Sequence, residues 1–208
     1  MRGDRIGMNK KVGMISAVVN ACAVCAFALS MLFDFDFGGY LVSMLIAFSF
    51  IPLICAFAAY GSAETRVLHN TAMLFAAMYA TFILLIYFAQ VTTVRLGDLS
   101  ESARALIDYQ QFGLFFNYNL LGYGFMSLST FFVGLAIVVK SKSDRILKWL
   151  LQIHGVFAIS GLVIPMLGLF HQDMQGADWI GVAVLLFWCV YFIPIGILSF
   201  LHFKNKVD

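Results

Sequence analysis

Apolar residues run through this chain in six blocks, Val12–Phe33, Gly38–Tyr60, Val67–Thr92, Phe112–Val139, Ile146–Phe170 and Ala177–Phe203, with polar residues gathered between them. Each block reaches the ~20 residues that a helix needs to cross a hydrocarbon core at a rise of ~1.5 Å per residue. The pattern predicts an all-α polytopic membrane protein, a bundle of six transmembrane helices. Connections are short except for Thr93–Gln111. There, Leu96-Gly97-Asp98-Leu99-Ser100-Glu101 offers Asp98 as an N-cap with Glu101 three residues on, the spacing of a capping box. Leu99, Ala103, Leu106 and Ile107 then share one apolar face, so a short amphipathic helix is expected at the outer surface before span four.

Composition places the chain in the membrane class: 62% of residues are hydrophobic, 12% are charged, and the mean hydropathy is +0.92. Its 208 residues leave room for one membrane domain, 1–208, and for no soluble domain of ordinary size. Charge then orients the bundle. Arg2, Arg5, Lys10, Lys11, Arg66, Lys140, Lys142, Arg145, Lys148, Lys204 and Lys206 fall on one side, and only Arg95 and Arg104 on the other. By the positive-inside rule both termini are expected in the cytoplasm. Most acids lie opposite: Asp34, Asp36, Asp98, Glu101, Asp108, Asp173 and Asp178, against Asp4, Glu64, Asp144 and Asp208. The basic face matches anionic lipid and gives no ground for a nucleic-acid partner. The first apolar block outruns the 7 to 15 residues of a cleaved signal peptide, so it reads as a span.

The six-span layout, Phe-Asn-Tyr-Asn-Leu-Leu-Gly-Tyr-Gly-Phe (116–125) after the outer loop, and Lys-Trp-Leu-Leu-Gln-Ile-His-Gly (148–155) after a basic loop resemble a group of uncharacterised bacterial integral membrane proteins. The resemblance implies a six-span fold and a bacterial inner-membrane location, and no activity.

Small residues recur every three or four positions: Gly13, Ala17, Ala21 and Cys25 in span one, Ala72, Ala76 and Ala80 in span three, and Ala158, Gly161, Pro165 and Gly168 in span five. Such strips let helix backbones approach, so these faces are expected to meet protein. The strip at Gly13, Ala17 and Ala21 could instead dock a partner subunit or a second copy. Cys22-x-x-Cys25 has the spacing of a redox or metal motif, but at mid-bilayer it reads better as small buried packing groups, as do Cys55 and Cys189. Pro52, Pro165 and Pro194 each remove a hydrogen bond within a span and predict kinks.

Among the histidines, His69 and His202 sit near span ends, where an imidazole can meet the interface. His154 lies about two turns inside span five and begins the strip facing the bundle interior, which makes it a functional candidate. A hydrogen bond to Asn20 of span one, or to a carbonyl freed by proline, is its structural alternative. No Asp, Glu, Lys or Arg falls in the interior of a predicted span, Lys148 and Asp178 lying at span ends, which weighs against charge-stabilised catalysis; the three histidines share no spacing that specifies metal or haem, and no cofactor is expected.

Tyr79, Ile83, Tyr87 and Gln90 share a face of span three, and Phe112, Phe116, Asn119, Tyr123, Ser127 and Thr130 share a face of span four. Amides and phenols at membrane depth need partners, so both faces are expected to point inward. Brought together they would form an aromatic-walled site with a few directional hydrogen-bonding groups. The sequence therefore predicts binding or transport of a small amphipathic or aromatic molecule from the outer side, with Tyr79, Tyr87, Gln90, Asn119, Tyr123 and His154 as the site. Its alternatives are a non-catalytic partner subunit, and a membrane enzyme or metal- or haem-binding protein built on His154.

Overall fold

The computed structural model describes residues 2–109, 113–168 and 177–206, and it is all-α. The helices are α1 (Arg2–Leu32), α2 (Asp36–Ala59), α3 (Arg66–Ala89), α4 (Glu101–Ile107), α5 (Leu114–Ala136), α6 (Lys142–His154), α7 (Val156–Leu167) and α8 (Ala177–Lys204); a π-helical turn, Gln90–Val94, extends α3. Six rods are long and apolar enough to cross a membrane: α1, α2, α3 with its π turn, α5, α6 with α7, and α8. Phe112, Phe170, His171 and Asp173 lie outside the described residues.

Each rod packs on its neighbour in sequence, and α8 returns to pack on both α1 and α6, so the six close into a ring. At its centre Phe50 of α2, Tyr79 of α3, Tyr123 of α5, and Trp188 and Phe192 of α8 form a closed circuit of ring contacts, with centroids 5.0 to 6.5 Å apart. Such distances suit edge-on and offset packing, which adds to the burial of the rings themselves. One end of the ring, the terminal end, holds residues 10 and 206, whose Lys10 Nζ and Lys206 carbonyl bond at 2.7 Å. The other holds α4.

The small-residue strips set the close approaches. Ala72, Ala76 and Ala80 are at most 2% exposed, and Ser129 Oγ of α5 donates to the Ala72 carbonyl at 2.8 Å. A Cβ on Gly161 would stand 2.9 Å from the Leu120 carbonyl oxygen, so α7 lies against α5 at a distance only glycine permits. The strip of span one is filled from within the chain: Gly13 lies under the Phe203 ring, and Ala17 and Ala21 face Gly196 of α8. Within the chain, that face is covered by α8. Cys25 turns away from it, because four-residue steps advance about 40° past a full turn each time. Cys22, Cys25 and Cys55 face outward and only Cys189 is buried, contrary to the packing role expected of all four.

Several boundaries differ from the apolar pattern. Ser100, not Asp98, caps α4, its Oγ accepting from Ala103 N at 3.3 Å. The preceding rod still holds Gly97, whose N–H donates to the Thr93 carbonyl, so residues 98–100 are consumed in turning the chain. The complete capping box lies elsewhere, at Ser141 and Asp144, and starts α6 four residues before the expected Ile146. The rod of α6 and α7 breaks at Gly155, where a Cβ would meet the Phe131 ring at 2.9 Å; Pro165 sits inside α7 without ending it. Glycine against a neighbouring ring, rather than proline, interrupts this span.

Candidate functional site

His154 ends α6 at the Gly155 break, is fully buried, and packs between Tyr191 and Phe192 of α8 and Phe157. Trp188 Nε1 donates to His154 Nε2 at 3.0 Å, which makes Nε2 the acceptor and places the ring proton on Nδ1. Nδ1 then donates to Thr130 Oγ1 at 2.7 Å, and Thr130 passes its own proton to the Ser127 carbonyl. The partners are thus Thr130 and Trp188. Asn20, the other group weighed for this role, bonds instead to the Ile46 carbonyl and Ser49 Oγ of α2. With both ring nitrogens engaged, His154 offers no free lone pair to a metal or haem.

Next to it, towards the α4 end, lie Tyr79 and Tyr123. Their phenols are close enough to interact, yet among the described residues neither hydroxyl, nor Ser43 Oγ, nor Asn119 Oδ1, completes a hydrogen bond to protein. Four buried oxygens from α2, α3 and α5 are therefore poorly paired, the Tyr79 and Tyr123 hydroxyls lying near each other and Ser43 and Asn119 near the Tyr87 hydroxyl, short of the pairing that buried polar groups almost always find. About 12 Å further along α3, two helical turns on, Tyr87 stacks on Tyr40 at 5.5 Å and meets the Tyr109 ring at 5.7 Å.

The segment after α3 folds over this group. Gln90, at the start of the π turn, clasps it with both ends of its amide: Nε2 donates to the Ile107 carbonyl at 2.8 Å, and Oε1 accepts from Tyr109 N at 3.0 Å. Asn119 Nδ2 donates to the Tyr109 hydroxyl at 3.0 Å. No residue of α4 is itself buried, and Leu106 is exposed, so Leu96–Tyr109 is held mainly by Gln90 and Tyr109. The structure joins Tyr87, Gln90 and Asn119 through Tyr109, and joins Tyr79, Tyr123 and His154 through Trp188. Neither Tyr109 nor Trp188 figured in the predicted site. For Trp188 the signal was available: an indole N–H in the middle of an apolar helix needs an acceptor.

Burial, and then the neighbouring Tyr87 phenol, push the Tyr109 hydroxyl well above its ordinary value of 10.0. In the folded protein Tyr109 keeps its proton where an unfolded chain's phenol would lose it, so the folded state binds more protons above pH 10 and loses stability as pH rises. The thermal midpoint is expected to fall above pH 10, and to fall less in Tyr109→Phe.

At the terminal end Asp144, expected as a loop charge, is 6% exposed, and its Oδ1 lies 2.6 Å from His202 Nδ1. Its Oδ2 accepts from Lys140 N and Ser141 N, both at 3.0 Å. His202 thus does not simply meet an interface, because an acid is buried beside it. His69 does not either: it is 5% exposed, and among the described residues neither ring nitrogen has a partner. Among the described residues no three His, Cys, Asp or Glu converge as metal ligands.

Two clefts open on the surface. One, of about 280 Å³, is lined by Ala58, Gly61, Ser62, Arg66, His69 and Asn70 among others; the second, of about 360 Å³, is an apolar groove between α2 and α3 at Met44, Phe48, Thr81 and Leu85. Neither reaches Tyr87, Gln90, Asn119, Tyr123 or His154.

Fold and site together define a six-rod helical protein of membrane type with a polar, aromatic interior beneath a clasped segment. No protein family matches the chain, nor does any curated protein or solved structure.

Proposed function

We propose that this is a multi-pass membrane protein with both termini in the cytoplasm and α4 outside, and that it binds a small amphipathic or aromatic molecule from the outer side. Eleven of the thirteen lysines and arginines fall on the terminal side, which supports the orientation. The observation that carries the binding reading is the set of four poorly paired oxygens, Ser43 Oγ, Tyr79 OH, Asn119 Oδ1 and Tyr123 OH, among aromatic rings. A polar group of a ligand would complete these bonds once the aromatic rings around them part to admit it. Leu96–Tyr109 acts as the lid, closed in this arrangement, and the π turn at its root is a form often found at functional sites. Passage of the molecule would need a further opening towards the terminal side.

The reading is tested by thermal-shift titration of the purified protein with small aromatic amphiphiles such as indole and p-cresol. A compound that stabilises the wild type should lose its effect in Asn119→Leu. Silence across such compounds, or an equal response in the variant, overturns the reading. Gln90→Ala removes the two lid bonds, each contributing about 1 kcal/mol, so amide exchange across Leu96–Tyr109 should speed up by roughly tenfold or more.

A further inference from the structure

The cleft between α2 and α3 at the terminal end has a construction that the proposed ligand site does not use. His69 lies in its wall, 5% exposed, with Nδ1 and Nε2 both lacking a protein partner among the described residues. The ring is pressed against Gly61 so closely that any Cβ there would collide with it. Around the mouth stand Arg66, Asn70 and Ser62, all exposed.

These groups share a sign. Arg66 opens α3, a helix of 24 residues whose N-terminus carries a positive partial charge, and Thr65 at its N-cap makes no side-chain capping bond. Thr65 is turned instead to Ser62, Oγ to Oγ1 at 3.2 Å. No carboxylate lines the cleft, and Glu64 of the same loop is exposed outside it. A guanidinium and a helix start disfavour a metal cation and attract an anion, to which the amide, the hydroxyl and a neutral imidazole can each donate. The volume of about 280 Å³ falls just below the range of drug-sized sites, which suits an anion with a short organic arm lying on Ala58 and Met73.

From this we infer that the α2–α3 cleft binds a phosphate-type anion, a phosphate ester or inorganic phosphate, through Arg66, His69 and Asn70. The anion draws the imidazole into a hydrogen bond that the protein does not provide. The same chemistry could arrive as the headgroup of an anionic lipid or as a soluble phosphate, and the two are separable.

The test uses the full chain in two preparations, with the thermal midpoint as readout. In nonionic detergent it is titrated with inorganic phosphate against sodium chloride at matched ionic strength; in nanodiscs, phosphatidylcholine is compared with phosphatidylcholine containing phosphatidylglycerol. The wild type should be stabilised in at least one arm: by phosphate if the source is soluble, and by phosphatidylglycerol alone if it is lipid. Loss of a charge-assisted contact in Arg66→Gln should raise the concentration needed by about 10- to 100-fold. Should that variant fail to fold, Asn70→Ala, which alters an exposed side chain, carries the same expectation with a smaller shift. A wild type that responds in neither arm, or variants that respond as the wild type does, overturns the inference.

Discussion

Asp144→Ala is expected to destabilise the protein by about 2–4 kcal/mol, from the loss of a helix cap and of a carboxylate that accepts from three donors. The carboxylate serves three donors, the His202 ring and the N–H groups of Lys140 and Ser141, and it stands at the capping box that starts α6. Truncation leaves the His202 ring and two backbone N–H groups without their acceptor, and it uncaps a helix whose N-terminal turn welcomes negative charge. Asp144→Asn, which keeps the shape and part of the accepting capacity, should fall between. The check is a double-mutant cycle with His202→Ala, followed by denaturant unfolding in mixed micelles. Because the two side chains act together, the double variant should lose little more than Asp144→Ala alone; strict additivity would show that the contact carries no energy.

His154→Leu comes next, with an expected loss of about 2–4 kcal/mol. Individual hydrogen bonds between membrane helices average only ~0.6 kcal/mol and reach ~1.7, so the two bonds of this ring cannot account for more than part of it. The rest comes from the Trp188 N–H left unpaired and from aromatic contacts with Tyr191 and Phe192, each worth about 0.5–1.5 kcal/mol. Trp188→Phe keeps most of the ring packing and severs one bond, so it should cost about half as much. If Trp188→Phe proved as damaging as His154→Leu, the energy would lie in the indole's packing and not in the network around the imidazole. Both variants are read by the same unfolding assay.

The six rods and the strips on them were legible because both are properties of one helix at a time. Apolar length marks a rod, and a run such as Ala72, Ala76, Ala80 marks the face that another helix will touch. The inward turn of His154 was legible for the same reason. Its pairing was not: Thr130 was read on an inward face and the Trp188 indole needs an acceptor, but that both meet His154 depends on the rotation of α5 and α8 about their own axes, which no periodicity records. The pairing of Asp144 with His202 was hidden in another way: counting Asp144 as a loop charge set aside the Ser-x-x-Asp spacing at 141–144, which announces a helix start. The π turn at Gln90 and the break at Gly155 answer to local fit, one to the Ile107–Tyr109 backbone and the other to the Phe131 ring, and neither leaves a pattern in the run of apolar residues around it.

Closure of the ring by α8 has a consequence for how the protein is made. Gly13 and Ala17 stay bare while α2 to α7 are being synthesised, because the rod that covers them is the sixth to be translated. During that interval the nascent bundle is an open arc with a groove along α1, and Trp188 has not yet arrived to hold His154. A chain stalled before α8 would therefore leave two seams unfinished, one along α1 and one along α6.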